Sequence, residues 1–168
     1  MESGAPRLLI LGVGNILLQD EGIGVHVVRE LMKHTYPPEV EFIDGGTAGL
    51  DLLYLIEDAS HLIIIDAVNG DGAAGTIYKF APEELDEFMP TISNSLHDIG
   101  VMEVLNLGKT MGILPPAVVY GMQPAVIDWG TDLSPEIATA LPRLVKQVQK
   151  EIEGWLAENA HFKEALEI

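Results

Sequence analysis

Three short runs of aliphatic residues constrain the fold of this chain more than any other feature. They lie at 7–13, 40–44 and 61–68, and each is nearly continuously apolar. Strands of this kind are buried on both faces, as in parallel sheets that are covered by helices. Segments with helical spacing of apolar residues lie between them, at 22–36 and 50–58. The order β-α-β-α-β therefore predicts a parallel sheet with helices on both faces.

The rest of the chain predicts two further strands and several helices. The glycine-rich link after residue 68 is too short for a helical crossover, so 76–81 is expected to pair antiparallel. Another strand is predicted at 116–122. Helices are predicted at 82–89, at 95–112 from a capping box of Ser95 and Asp98, and at 132–159 with Ser134 as its cap. No linker divides the 168 residues, so we expect one domain over 1–168.

Composition limits the possible partners and chemistry. The chain has 26 Asp and Glu against 9 Lys and Arg, and a formal charge of −17. Nucleic acid and acidic membranes are disfavoured as partners because phosphate binding needs clustered cations. There is no cysteine, which excludes thiol nucleophiles and thiolate metal sites. The amino terminus lacks the apolar core of a signal peptide and no apolar run approaches ~18 residues, so a cytoplasmic location is expected.

Polar side chains follow the strands where each one ends, which is where open parallel sheets form their sites. Glu21 comes after the first strand, Asp44 ends the second and Asp66 ends the third. His97 lies in the first turn of a later predicted helix, whose dipole favours neutral imidazole. Carboxylates and a histidine at one sheet edge suit a divalent metal ion.

Most of these residues also have a purely structural interpretation. Asp20 is equally well explained as the N-cap of the first helix or as a functional acid, and Glu21 would then only favour the helix dipole. Asp44 could bond to its own Gly-Gly turn. Asp66 is harder to dismiss, because an ionised carboxylate after four aliphatic residues needs a partner. The remaining histidines are interpreted as structural: His26, His34, His61 and His161.

The stretch GVGNILLQDEGIG begins like a dinucleotide-binding fingerprint but departs from it. The position of the third glycine is Leu17, and the acids Asp20 and Glu21 would repel a pyrophosphate. A nucleotide-binding module therefore remains a minor alternative. Gly22 and Gly24 are expected to let a partner approach the backbone closely.

Four separated segments together resemble the hydrogenase maturation proteases: LGVGNILLQDEGIGVHVVREL, DGGTAGLDLL, LIIIDAV and SLHDIGVMEVL. The resemblance implies an α/β fold, a three-layer α/β/α sandwich whose five-stranded sheet is mostly parallel with one antiparallel strand. It also implies an activity. These endopeptidases remove a short C-terminal extension from the large-subunit precursor of a nickel–iron hydrogenase after nickel insertion.

The same resemblance assigns roles to individual residues. It implies that Glu21, Asp66 and His97 ligate a metal, and that the box at 44–47, which begins with Asp44, takes part in nickel-dependent recognition of the substrate. The nickel is expected to arrive with the precursor, although another divalent ion can occupy such a site. The family is sometimes grouped with aspartic-type peptidases, but the chain has no Asp-Thr-Gly pair.

Two routes to cleavage stay open. Glu21, Asp66 and His97 contacting the nickel of the docked precursor would position the scissile bond, and a metal-polarised carbonyl or activated water would follow. Alternatively a carboxylate, Asp44 or Asp20, acts as general base on water. The acidic surface is expected to complement a basic patch of the precursor, and the protein to be a monomer. A non-enzymatic metal-binding or delivery protein is the main alternative function.

Overall fold

The computed structural model describes residues 5–84 and 100–160. Its centre is a five-stranded sheet in the order β2-β1-β3-β5-β4. The strands are β1 Leu8–Val13, β2 Val40–Gly46, β3 His61–Ala67, β4 Ile77–Phe80 and β5 Ala117–Met122. β1, β2, β3 and β5 run parallel, and β4 pairs antiparallel with β5. The predicted sheet, including its one antiparallel strand, is confirmed.

Helices cover both faces of this sheet. They are α1 Ile23–Leu31, α2 Leu52–Ile56, α3 Val101–Met111 and α4 Pro135–Asn159, with 3-10 turns at Gln19–Gly22, Gly49–Asp51 and Pro82–Glu84. Successive residues of a strand face opposite sides. Ile10 and Ile63 pack with α1 and α4 in one apolar cluster, and Leu9 and Ile64 pack with α2 and α3 in the other. The result is the α/β/α sandwich.

Two glycines set the distance between α1 and the sheet. A Cβ on Gly24 would collide with the carbonyl oxygens of Ile65 and Val13, and one on Gly12 would collide with the carbonyl of Gly24. The helix backbone therefore lies directly on the backbone of β1 and β3. The expectation that Gly24 admits an external partner is wrong, because the chain's own sheet occupies that space.

Some predicted boundaries differ from those in the structure. α1 ends at Leu31, earlier than the predicted 36, and the residue before the Pro37-Pro38 pair is disfavoured in helical conformation. The predicted helices at 82–89 and 95–112 lie partly outside the described residues, as do Ser95 and Asp98. None of the helices described in the structure has the length and apolar composition of a membrane-spanning segment.

Candidate functional site

β1 and β2 are paired in parallel up to their carboxyl ends, which therefore lie side by side at one edge of the sheet. The register between them shifts after Gly12, which pairs with Asp44, so that Val13 pairs with Gly46. The amide of Gly14 then donates to the carbonyl of Gly46 at 2.9 Å. This bulge ends the pairing and releases residues 14–22 as a loop across the sheet edge. That loop ends in the 3-10 turn that carries Asp20 and Glu21.

Asp66 lies near the carboxyl end of β3, in the middle of the sheet. Its carboxylate accepts a hydrogen bond from the amide of Ala67 at 2.8 Å. The pKa of Asp66 is raised to about 8, chiefly by burial and to a smaller extent by the negative charge of Glu21, while the hydrogen bond from the Ala67 amide acts in the opposite direction. The predicted proximity of Asp66 and Glu21 at one edge is therefore present.

This pair of acids fits a cation on chemical grounds. A positive ion between the two carboxylates would offset both the burial of Asp66 and the repulsion from Glu21. Over residues 5–84 and 100–160, no Lys or Arg forms an ion pair with Asp66. Two carboxylates and an imidazole would suit a borderline divalent ion such as nickel.

The third predicted ligand, His97, lies outside the described residues. Within the described ranges, no group of three or more His, Asp or Glu side chains is placed to hold a metal ion. The set of Glu21, Asp66 and His97 as metal ligands therefore stays a prediction, of which the structure describes two members.

Asp44 is held in a different way from Asp66. Its carboxylate accepts hydrogen bonds from the Gly46 amide at 3.2 Å and from the Arg29 guanidinium at 3.1 Å. The bond to its own glycine turn agrees with the structural interpretation of Asp44 from the sequence. The ion pair with Arg29 is not predicted from the sequence, because no local pattern links a surface arginine of α1 to the end of β2. β2 and β3 flank β1, so the backbones that carry Asp44 and Asp66 are about 10 Å apart.

Asp20 is fully buried and has a structural role that neither sequence interpretation identified. Its carboxylate accepts four hydrogen bonds, from the amides of Ala125, Val126 and Ser134 and from the Ser134 hydroxyl, at 2.7 to 2.9 Å. The residue before α1 is Gly22, with no side-chain cap. Asp20 is therefore neither the cap of α1 nor an accessible general base.

Ser134 stands at the N-cap position of α4, as predicted, but it does not cap the helix with its side chain. Its hydroxyl donates to Asp20 instead, at 2.7 Å. The partners of Asp20 lie 105 to 114 residues further along the chain. No local pattern could have revealed them.

Backbone hydrogen bonds join the loop after β1 to the loop after β5. The amide of Gln19 donates to Gly130 at 3.0 Å, and the amide of Gly130 donates to Leu17 at 2.9 Å. Gln19 has a φ of 52°, a left-handed conformation that is uncommon outside glycine. β3 lies between β1 and β5, so the joined loops span the sheet edge where Asp66 lies.

Comparisons with known proteins agree with this architecture. A family model for hydrogenase maturation proteases matches residues 25–151. The chain is 35% identical over 152 residues to the hydrogenase expression/formation protein HupD of Rhodobacter capsulatus, covering 89% of this chain and 72% of the relative. It is 37% identical over 145 residues to the hydrogenase 2 maturation protease of Escherichia coli, covering 84% and 88%.

Solved structures resemble it over most of its length. The hydrogenase maturating endopeptidase HybD from E. coli superimposes with a TM-score of 0.79 at 35% identity, over 88% of this chain and 93% of its own. A nickel–iron hydrogenase maturation protease from Thermococcus kodakarensis gives a TM-score of 0.71 at 26% identity, over 86% and 97%.

Proposed function

Because the chain belongs to the hydrogenase maturation protease family, we propose that it removes the C-terminal extension of a nickel–iron hydrogenase large-subunit precursor after nickel insertion. The family makes the protein an endopeptidase. We propose, beyond this, that its substrate is the large-subunit precursor, that it senses nickel, and that the residues described below act in the reaction. The observation that carries it is the pair of acids, Glu21 and Asp66, at the carboxyl edge of the sheet.

In this proposal the nickel belongs to the substrate. Glu21 and Asp66, with His97, bind the metal-bearing part of the precursor and so fix the scissile bond at the sheet edge. Holding the reacting groups in place removes much of the entropic barrier to hydrolysis. Nickel at this position would polarise a carbonyl group or a water molecule. A precursor without nickel would lack the positive charge that these two acids attract, and would bind poorly.

Asp44 is the candidate general base. It is exposed, and Arg29 and the Gly46 amide fix its orientation at the end of the neighbouring strand. In this role it accepts a proton from the attacking water, whose oxygen bonds to the scissile carbonyl carbon. The carbon–nitrogen bond then breaks and the proton passes to the leaving amine. Asp20 is excluded from this role because four donors occupy its buried carboxylate.

The test is to incubate the purified protein with nickel-loaded and nickel-free precursor and to follow the mass of the product. We expect only the nickel-loaded precursor to be shortened, and Glu21→Gln to slow this by at least about 100-fold. Asp71→Asn, an exposed acid in the loop after β3, is the matched control and should keep the wild-type rate. Equal processing of both precursors, or a folded Glu21→Gln variant with full activity, would refute the proposal. Tight binding without shortening would favour the metal-delivery alternative.

A further inference from the structure

Four exposed apolar side chains lie on the two joined loops at the carboxyl edge. The exposed fractions are 51% for Leu17, 39% for Val126, 52% for Ile127 and 78% for Trp129. Large apolar side chains gathered in one place on a surface typically mark a site of interaction. These four residues are referred to below as the rim patch.

The backbone under the rim patch is held firmly. Asp20 accepts hydrogen bonds from the amides of Ala125 and Val126 at 2.9 and 2.8 Å. The side-chain amide of Gln19 reaches the carbonyl of Trp129 at 3.4 Å. A surface whose backbone is already ordered loses little conformational entropy when a partner binds. The rim patch is therefore preorganised, although its side chains face water.

The rim patch is also physically continuous with the proposed site. Asp20 accepts a hydrogen bond from the amide of Val126 and so anchors the loop that carries the rim patch. Glu21 directly follows Asp20 in the chain, so the Cα atoms of these two acids are about 3.8 Å apart. A chain seated on the rim patch would lie against the end of β3, where Asp66 is. Whatever occupies the rim patch is thus held close to the acids.

Size and charge distinguish between possible occupants. Four partly exposed side chains offer on the order of 400 Å², below the roughly 600–1,000 Å² that each partner buries in a stable complex. That area suits a short segment better than a second copy of this chain. The two loops, 14–22 and 123–134, contain no Lys or Arg but include Asp128 and Asp132, both exposed. The neighbourhood therefore favours a positively charged segment.

We infer that the rim patch receives an extended stretch of the substrate chain next to the scissile bond, one that carries apolar side chains and flanking Lys or Arg. This inference rests on the proposed function and adds the surface and the chemistry by which the substrate is recognised. Trp129 is the principal anchor, because exposed aromatic side chains contribute most when they become buried.

The experiment compares steady-state processing of nickel-loaded precursor by Trp129→Ala, Ile127→Ser and the wild type. Both side chains are exposed, so we expect both variants to fold with unchanged melting temperature. KM should rise about tenfold or more for Trp129→Ala and less for Ile127→Ser, with kcat within about twofold. Met111→Ser is the matched control, because Met111 is 57% exposed at the end of α3 and belongs to neither loop. KM of the wild type should also rise with ionic strength.

Two results would overturn the inference. One is an unchanged KM in both variants while the wild type still shortens the precursor, which would leave the proposed function standing. The other is a wild-type dimer, seen by sedimentation at assay concentration, that Trp129→Ala converts to monomer. In that case a second copy, not the substrate, covers the rim patch.

Discussion

Asp20 and Asp66 are two acids near the same edge of the sheet, the first fully buried and the second partly buried, and the protein surrounds them in opposite ways. Asp20 accepts four hydrogen bonds and ties two distant loops together. Asp66 accepts one from the next amide, among the described residues, and lies near another acid, Glu21. A buried carboxylate with its donors stabilises the fold. A carboxyl group whose pKa is raised to about 8, as in Asp66, lowers the stability of the folded state at neutral pH. A functional role would explain why such a group is present.

The largest effect on stability is expected from Asp20→Ala. It leaves the amides of Ala125, Val126 and Ser134 buried or partly buried without their acceptor, which costs roughly 3–5 kcal/mol in free energy of unfolding. Urea denaturation measures this. Asp71→Ala, an exposed acid, should change stability by less than about 0.5 kcal/mol. Similar values for the two variants would remove the structural role that we assign to Asp20.

The pH dependence of stability should reveal Asp66 in chelator-treated protein. Its folded pKa of about 8 lies above the ordinary value of 3.8, so the folded state binds the extra proton. The contribution of Asp66 to stability is therefore most favourable at low pH and declines as pH rises towards 8, by at most about 3 kcal/mol between pH 5 and pH 7.5. Asp66→Asn should flatten this dependence. Parallel curves for the variant and wild type would show that the fold does not raise the pKa of Asp66.

Ser134→Ala should cost less than Asp20→Ala. It removes the hydroxyl donor but leaves three amide donors on Asp20, so a loss of about 1 kcal/mol is expected. A double-mutant cycle by urea denaturation isolates the bond. Additive effects of Ser134→Ala and Asp20→Ala would mean that the hydroxyl does not depend on this carboxylate.

The smallest effect is expected at Asp44, an acid that remains exposed. Its ion pair with Arg29 has side chains that are 51% and 40% exposed, so Arg29→Ala should change the free energy of unfolding by less than about 1 kcal/mol. Thermal unfolding in low and high salt measures this. If Arg29→Ala lowered the free energy of unfolding as much as Asp20→Ala does, the difference in exposure between Asp44 and Asp20 would not determine how much each acid contributes to stability.

The fold was largely predictable because its determinants are local. Short continuous aliphatic runs such as 62–65, separated by segments of helical spacing, indicate buried strands. The short link after β3 also indicated that β4 pairs antiparallel. The helix boundaries were less predictable. α1 ends at Leu31, where no proline or glycine in residues 32–36 marks the end of the helix.

The site was predictable only in part. Asp66 and Glu21 could be placed together, because strand ends of a parallel sheet meet at one edge. The structural role of Asp20 could not be predicted, since its hydrogen-bond partners are more than 100 residues away in the chain. For the same reason the sequence could not show that Asp20 is structural while the adjacent Glu21 lies near Asp66. The exposed Trp129 gave no sequence signal, because one tryptophan in a loop can equally well be buried.

The central claim is that Asp66 is needed for the reaction although its raised pKa lowers the free energy of unfolding at neutral pH. The most direct test measures the rate at which Asp66→Asn shortens nickel-loaded precursor at pH 7.5, in protein whose free energy of unfolding is determined in the same buffer. We predict a rate at least about 100-fold below wild type, with stability equal to or above wild type. A rate near that of the wild type, or a lost activity accompanied by lost stability, would contradict the claim.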